Sequence, residues 1–435
     1  MRGRRVRGLL ALSVGWVLAG LLFAAPYFGL VDPGCWERSH PAAPPPPAEP
    51  GPYRVEILGT RRIVPGAGLP RQAVVEQANN NLDVVRHRDG RVYLAWRTAP
   101  SHFAGARTAI NVVSSADEEN WRFETRFSPG FDLREPRWLS FGEHLILYVS
   151  RLGSDPFAFE PQGVSLTEQR PDGSWSALEP MGPKGFIAWR VRMVGDRPLM
   201  IGYSGGGSIY NFDGAPMKVQ LMTTDDGRRW VPAWGNAGVV LRGGGSETDF
   251  AFAPGGSLYA VTRNEAGDGD GFGSKLCHAR PESLDRWVCR PDRKKYDSPL
   301  LFSHGGEVYV VARRNVTPSG DYDVAGGPRL LRAVRNALDY IVTSKRCSLW
   351  RFDRLQNRLA FVLDLPSRGD TCFASMIPGA TPAEVVIYDY SSDILGPDLP
   401  WAAGQRRPTY IYRHVLRFTP QMSASRSDRV PSDPS

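Results

Sequence analysis

The feature that most restricts how this chain folds is a short apolar alternation that recurs between turn signals. The runs are Val92-Tyr93-Leu94-Ala95-Trp96, Leu145-Ile146-Leu147-Tyr148-Val149, Leu258-Tyr259-Ala260-Val261, Val308-Tyr309-Val310-Val311-Ala312 and Val385-Val386-Ile387-Tyr388. Asp89-Gly90, Gly255-Gly256 and Gly305-Gly306 closely precede three of them, as the tight turns of successive antiparallel hairpins do. A spacing of roughly 50 to 60 residues fits repeated blades better than one sandwich, and each run is predicted as the inner strand of a blade.

Composition agrees with this reading. The 435 residues are 42% hydrophobic, enough for a sizeable core and too apolar for a wholly disordered chain. Gly (46) and Pro (37) are abundant, which favours many short strands joined by turns. The expected class is all-β, a six-bladed β-propeller, with five blades as the alternative. One segment breaks the pattern. Residues 329–342 set Leu330, Leu331, Val334, Leu338 and Ile341 on one face and are predicted as an inserted helix. It is either a surface helix packed on a blade or, because Arg329, Arg332 and Arg335 line its start, a lid or membrane-contacting element.

A second repeat lies between the strands, Ser/Thr-x-Asp-x-Gly-x-x-Trp. It is complete as Thr223-Thr224-Asp225-Asp226-Gly227-Arg228-Arg229-Trp230 and degenerate at Ser115 to Trp121, Pro171 to Trp175 and Ser283 to Trp287. Such a segment makes a tight turn: the carboxylate accepts backbone N–H groups, Gly supplies positive φ, and Trp packs beneath. It is read as a folding device, not a catalytic one.

The two ends carry different signals. Arg2, Arg4, Arg5 and Arg7 precede an uncharged, mostly apolar run at residues 8–31, longer than the apolar core of a usual cleavable signal. An uncleaved transmembrane anchor is expected, with the arginines cytoplasmic, so that everything beyond lies on the extracytoplasmic side of the cell membrane. Residues 32–52, Pro-rich from position 41, read as a stiff linker, residues 53–420 as the propeller and residues 421–435 as a disordered tail. A net charge of +8 includes the four arginines of the anchor flank, so no nucleic-acid partner is expected. Five cysteines in an exported chain allow two disulfides. Cys277 with Cys289 and Cys347 with Cys372 are the plausible pairs, buried free thiols being the alternative for the second.

Further segments recur in order along the chain: Asn81-Leu82-Asp83, Asp132-Leu133-Arg134-Glu135-Pro136, Ala188-Trp189-Arg190, Gly245-Ser246-Glu247-Thr248-Asp249-Phe250, Val261-Thr262-Arg263, Val311-Ala312-Arg313-Arg314, Gly369-Asp370-Thr371 and Tyr388-Asp389-Tyr390-Ser391-Ser392. With the turn repeats, their order over residues 79–418 resembles the sialidase (neuraminidase) superfamily. The closer resemblance is to its broad bacterial sialidase-like, or exo-alpha-sialidase-like, group. The resemblance implies a six-bladed propeller with a central pocket. It also implies an arginine triad that clamps a substrate carboxylate, a tyrosine nucleophile activated by a glutamate, and an aspartate acid/base. Glu247 resembles that glutamate, Arg263, sixteen residues on, the second arginine, and Arg313 the third. The chain departs from the pattern at three points. The first arginine is replaced within Asn81-Leu82-Asp83, the tyrosine position falls on Phe373, and the aspartate has no placed counterpart.

The residues themselves point to polar chemistry on sugars. Acidic groups beside apolar strands are costly to bury unless paired, so recurring carboxylate and arginine neighbours imply a shared cluster or salt bridging between blades. Glycoside hydrolysis needs two carboxyl groups across the scissile bond. Glu247, Asp83, Asp370 and Tyr390 are the expected catalytic groups. Arg134, Arg190, Arg263, Arg313, Asp249 and Trp189 are the expected substrate-binding ones, through guanidinium forks and ring stacking. Glu135 is a further carboxylate candidate. Gly205-Gly206-Gly207 and Gly243-Gly244-Gly245 lack a phosphate loop's Lys-Ser/Thr and read as turns. Gly267-Asp268-Gly269-Asp270-Gly271 hints at calcium without the usual loop spacing, the seven histidines are not paired at metal-ligand spacing, and neither metal nor cofactor is expected. The expected function is a membrane-anchored carbohydrate-active enzyme, a glycoside hydrolase of sialidase-like type acting on an extracytoplasmic glycan; a non-catalytic glycan-binding propeller is the alternative.

Overall fold

The computed structural model describes residues 42–155, 160–205, 216–235 and 238–421. They form six antiparallel sheets, each running up and down outward from its first strand. Those first strands are Ala78–Arg86, Leu133–Phe141, Ile187–Val194, Thr248–Phe252, Asp297–His304 and Ser375–Pro378 in blades 1 to 6. The first strands of blades 1 to 5 pack successively on one another around an axis, and that of blade 6 packs on that of blade 1. The chain is an all-β, six-bladed propeller, not a five-bladed one.

The recurrent apolar runs are the second strands, not the inner ones: Val92–Ala99, His144–Leu152, Leu258–Arg263, Glu307–Asn315 and Glu384–Ser392. A second strand is flanked by a hydrogen-bonded neighbour on each edge and a blade on each face, so Val92–Ala99 is buried at every position. The inner strands meet the axis and carry polar side chains there, which hides them from a search for apolar alternation.

Blade 6 is closed by both ends of the chain. Tyr53–Val64 pairs with Thr409–Pro420, in register from Tyr53 opposite Pro420 to Val64 opposite Ile411. Just before it, Glu49 pairs with Arg358 at 2.5 Å and its N–H donates to the Phe361 carbonyl, so the end of the Pro-rich stretch lies against blade 5. The expected membrane anchor at residues 8–31 and the tail beyond 421 fall outside the described residues, as does most of the 205–207 glycine run. Among the described residues no helix is long and apolar enough to cross a membrane.

The ends of the propeller differ. One end carries the turns between third and fourth strands. There the Asp117 carboxylate accepts the N–H groups of Glu119 and Asn120, and Asp226 those of Arg228 and Arg229. In the second turn the working carboxylate is Asp226, one position after the aspartate that the repeat pattern picks out, because the Thr224 hydroxyl converges on it too. The other end carries the start of each inner strand and the long loops between second and third strands. Several inner strands begin with a register shift, where Asn81, Glu135 and Ser298 sit at φ 43°, 52° and 53°. Such bulges re-aim side chains toward the loop-bearing face.

The inserted helix, α1 (Arg329–Ile341), lies in the blade 5 loop on that face. It matches the predicted segment closely. Its Tyr340 ring packs edge-on against Trp401 of the short helix α2 (Trp401–Gly404), which belongs to the corresponding loop of blade 6. Two disulfides are present. Cys277–Cys289 joins the third and fourth strands of blade 4, and Cys347–Cys372 ties blade 5 to the residue entering the inner strand of blade 6.

Deleting residues 53–64 leaves the Thr409–Pro420 edge unpaired and breaks the closure of the ring. The expected outcome is loss of the cooperative thermal transition and self-association on size exclusion; a monomer melting at the parent temperature would contradict this account of closure.

Candidate functional site

The loop-bearing face gathers charged side chains from five of the six blades around the axis into one network of hydrogen bonds and ion pairs. In blade 1, Arg97 ends the second strand fully buried, with Nε on Asp132 of blade 2 at 3.0 Å. Asp132 also takes Arg134 Nε at 2.6 Å. These two arginines hold three successive carbonyls of one loop: Arg97 donates to Ser101 and Phe103, and Arg134 to His102. The loop thus places the imidazole of His102, whose Nδ1 meets Asp370 Oδ2 of blade 6 at 2.6 Å.

From Asp370 the network continues through two hydroxyls. Tyr390 donates to Asp370 Oδ1 at 3.0 Å and accepts from Arg313 at 3.3 Å. Arg313 donates in addition to the carbonyls of Thr371 and Cys372 and to Tyr340 Oη, so all three of its nitrogens have protein acceptors. The Tyr340 hydroxyl, brought in by α1, donates to Asp297. Asp297 is ion-paired with Arg263 at 3.1 Å, and Arg263 reaches Glu247 at 2.6 Å and also pairs with Glu265. The other oxygen of Glu247 accepts the Ser298 N–H at 2.8 Å. Glu135, the residue after Arg134, stands between the two ends of this network, close enough to Glu247 for the carboxyls to repel.

Burial and pairing set the protonation of these groups. Burial works to raise the Asp370 carboxyl, but His102, the Arg313 charge and the Tyr390 hydroxyl together hold it below the usual range. Burial, reinforced by the Asp370 charge, pushes the Tyr390 phenol well up. His102 is lowered because burial outweighs the pull of Asp370. Burial pulls Arg97 down to about 10, with the Arg134 charge adding to it. Glu135 stands apart: among the described residues no ion pair involves it, and burial, with the Glu247 charge adding, pushes it up to about 7.

Of the residues expected from sequence, Glu247, Asp370, Tyr390, Arg134, Arg263 and Arg313 meet in this ring. Asp83, Asp249, Arg190 and Trp189 lie deeper, where they join inner strands. Asp83 accepts the Trp138 N–H at 2.7 Å and the Ser375 hydroxyl at 2.5 Å, tying blade 1 to blades 2 and 6. Asp249 neutralises Arg192 at 2.5 Å and accepts the Leu301 N–H at 2.7 Å. Arg190 donates to the Pro299 carbonyl, and burial, then the charge of Arg137, lowers it to about 9. Arg137 lies between the rings of Trp189 and Phe373, at 5.1 and 4.4 Å from their centroids. Phe373 is thus a buried partner of that column, and the tyrosine in the ring is Tyr390. The Asp268/Asp270 loop is also answered: Lys275 Nζ pairs with both carboxylates, at 2.6 and 2.7 Å.

Sequence reading missed Arg97, His102, Asp297 and Tyr340. A signal for Arg97 was present. Arg97, Arg263, Arg313 and Tyr390 each come five residues after the first apolar residue of a second strand, at Val92, Leu258, Val308 and Val385. That shared register places all four at the same level of the propeller. His102 and Tyr340 reside in loops and had no such marker.

Solved structures share this architecture at low identity. A protein of unknown function from Dyadobacter fermentans aligns with a TM-score of 0.52 at 12% identity, over 84% of this chain and 99% of its own. Trypanosoma rangeli sialidase aligns with a TM-score of 0.50 at 14% identity, over 79% of this chain and 55% of its own, so this chain spans about half the length of that protein. The same sialidase in complex with 2,3-difluorosialic acid, described as a covalent intermediate, gives 0.51 at 14%, over 79% of this chain and 54% of its own. At these identities the likeness is one of fold. No family model matches the chain, and no significant match exists among curated proteins.

Glu135 yields a stability test. Its carboxyl ionises near its ordinary value of 4.5 in the unfolded chain and near 7 in the fold, so the native state binds the extra proton between these values and stability falls as pH rises through that window. Above pH 7 the charge costs up to about 3 kcal/mol. Glu135→Gln should match the parent near pH 4.5 and melt higher than it at pH 8. Equal melting curves at both pH values would show that Glu135 is ionised without penalty.

Proposed function

We propose that this propeller is a glycoside hydrolase acting on an acidic glycan, with its chemistry in the ring on the loop-bearing face. One observation carries the reading: the Tyr390 hydroxyl is held between the Asp370 carboxylate and the Arg313 guanidinium inside a buried network of alternating charge. A phenol so placed has a base to take its proton and a cation to stabilise the oxygen it leaves, which is what a tyrosine nucleophile needs.

Two of the arginines suit a substrate anion. The side chains of Arg134 and Arg263 are 17% and 14% exposed, against none for Arg97 and 8% for Arg313. Arg97 and Arg313 brace the loop and the tyrosine, while Arg134 and Arg263 present their edges to a carboxylate-bearing sugar. Glu135, neutral below about pH 7, supplies a hydroxyl donor beside them. A fold neighbour that is a sialidase, seen as a covalent intermediate, is consistent with acidic-sugar chemistry on such a scaffold. Two disulfides favour an oxidising compartment, in keeping with an extracytoplasmic propeller held to the membrane by residues 8–31.

A second reading, a glycan-binding propeller without turnover, is favoured by the pairing itself. Asp132, Asp297, Asp370, Glu247 and Glu265 each already face a cationic or imidazole partner. Reducing-sugar release from a panel of acidic and neutral oligosaccharides separates the two. The hydrolase reading expects turnover confined to acidic members, lowered at least ~100-fold in Tyr390→Phe with binding retained. Binding without release by the parent protein would establish the binder.

A further inference from the structure

We propose that His102 is the proton-transfer residue of this site: its Nε2 protonates the departing glycosidic oxygen, then takes a proton from the water that completes hydrolysis. The inference rests on the hydrolase reading and deepens it.

The geometry that selects His102 is specific. Its Nδ1 is 2.6 Å from Asp370 Oδ2, while the other oxygen of the same carboxylate accepts the Tyr390 hydroxyl. One buried carboxylate therefore serves both groups. An ionised Asp370 can only accept, so Nδ1 carries a proton and Nε2 is the nitrogen that exchanges one. Among the described residues Nε2 has no hydrogen-bond partner, and the side chain is 18% exposed on a face where Asp370 is fully buried. The imidazole is also held still. The carbonyls of Ser101, His102 and Phe103 accept from Arg97 and Arg134, both fastened to Asp132. The ring of Tyr390 packs tilted beside it, with centroids 6.5 Å apart. The other described histidines are engaged elsewhere: His87 with Ser140, His144 with Glu168, His414 with Thr60, His278 with the Tyr259 ring and His304 with the Phe418 ring.

The proton balance closes. In the first step Tyr390 Oη bonds to the anomeric carbon and passes its proton to Asp370, the carbon–oxygen bond to the leaving group breaks, and that oxygen takes the Nε2 proton. In the second, water attacks the same carbon and gives one proton to Nε2. The tyrosyl oxygen leaves and recovers its proton from Asp370. Both groups return to their starting states, and no cofactor or redox partner is needed.

The groups facing the imidazole are Asp370 and Tyr390 from blade 6, Arg97 from its own blade and Arg134 from blade 2. An acid must be protonated to act, and burial lowers His102 below its ordinary value of 6.5. The rate kcat/KM should therefore fall as pH rises through a value below 6.5.

The test compares His102→Ala and His102→Gln with the parent on two leaving groups, an oligosaccharide and a dinitrophenyl glycoside of the same acidic sugar. Both variants should lose ~10²- to 10⁴-fold on the oligosaccharide, whose alkoxide needs a proton. Both should lose less than about tenfold in the first step on the aryl substrate, whose phenolate does not. The descending pH limb should vanish, and added azide, a nucleophile that needs no base, should restore turnover and yield the glycosyl azide. Equal losses on both substrates, or a pH limb that persists, would overturn the role of His102 and leave the hydrolase reading intact. A parent protein that cleaves neither substrate would overturn the hydrolase reading beneath it, and a Tyr390→Phe variant that cleaves both at the parent rate would overturn the tyrosine nucleophile and the proton sequence built on it.

Discussion

A guanidinium does not give up its proton in a protein, so an arginine drawn inside this propeller needs acceptors or, as Arg137 has, aromatic faces. That constraint organises the loop-bearing face. Arg97 and Arg134 converge on Asp132, Arg263 on Glu247, Glu265 and Asp297, and Arg313 on two carbonyls and two tyrosine hydroxyls. Five of these contacts cross between blades: Arg97 to Asp132, Arg263 to Asp297, and Arg313 to Thr371, Cys372 and Tyr390. The ring that forms the candidate site is therefore also what fixes the blades relative to each other at that end. Substitutions here are expected to mix structural and chemical effects, and leaving-group and pH readouts are needed to separate them.

Below the ring, a second tier serves the fold alone. Asp83 and Asp249 use backbone N–H groups of neighbouring inner strands as partners, while Arg137 is stacked between Trp189 and Phe373. The aromatic faces offer a cation some compensation for lost water without the directionality of hydrogen bonds. The two tiers divide the polar axis into a lower part that sews inner strands together and an upper part where His102, Arg134, Arg263 and Glu247 keep some contact with solvent.

Two insertions complete the upper tier. The face that α1 buries is Ala333, Asn336 and Tyr340, one side round from the expected apolar stripe, whose Leu330 and Leu331 are exposed. Its contribution is the Tyr340 hydroxyl, which couples Arg313 to Asp297. The disulfide Cys347–Cys372 does related work from the other side, because Cys372 and Thr371 supply the carbonyls that orient Arg313. Neither role is visible in the sequence. A helix periodicity shows which face is apolar, not which hydroxyl reaches a site, and a pair of cysteines shows nothing of the backbone they immobilise.

The sequence by itself determined the kind of repeating element, the places of the turns and the position of α1, because strand alternation, turn chemistry and helical periodicity are local properties. It also marked Arg263, Arg313, Asp370 and Tyr390, each of which ends or adjoins an apolar run. Tertiary structure alone decided which strand of each blade is innermost, since burial on both faces makes the second strand the more apolar one. It alone divided the acidic residues, sending Asp83 and Asp249 to backbone N–H groups and Asp370 to His102 and Tyr390. That division depends on a bulge of one residue at the start of an inner strand and on loops closing over it. Both are relations between blades far apart in the chain, and no local pattern of residues records them.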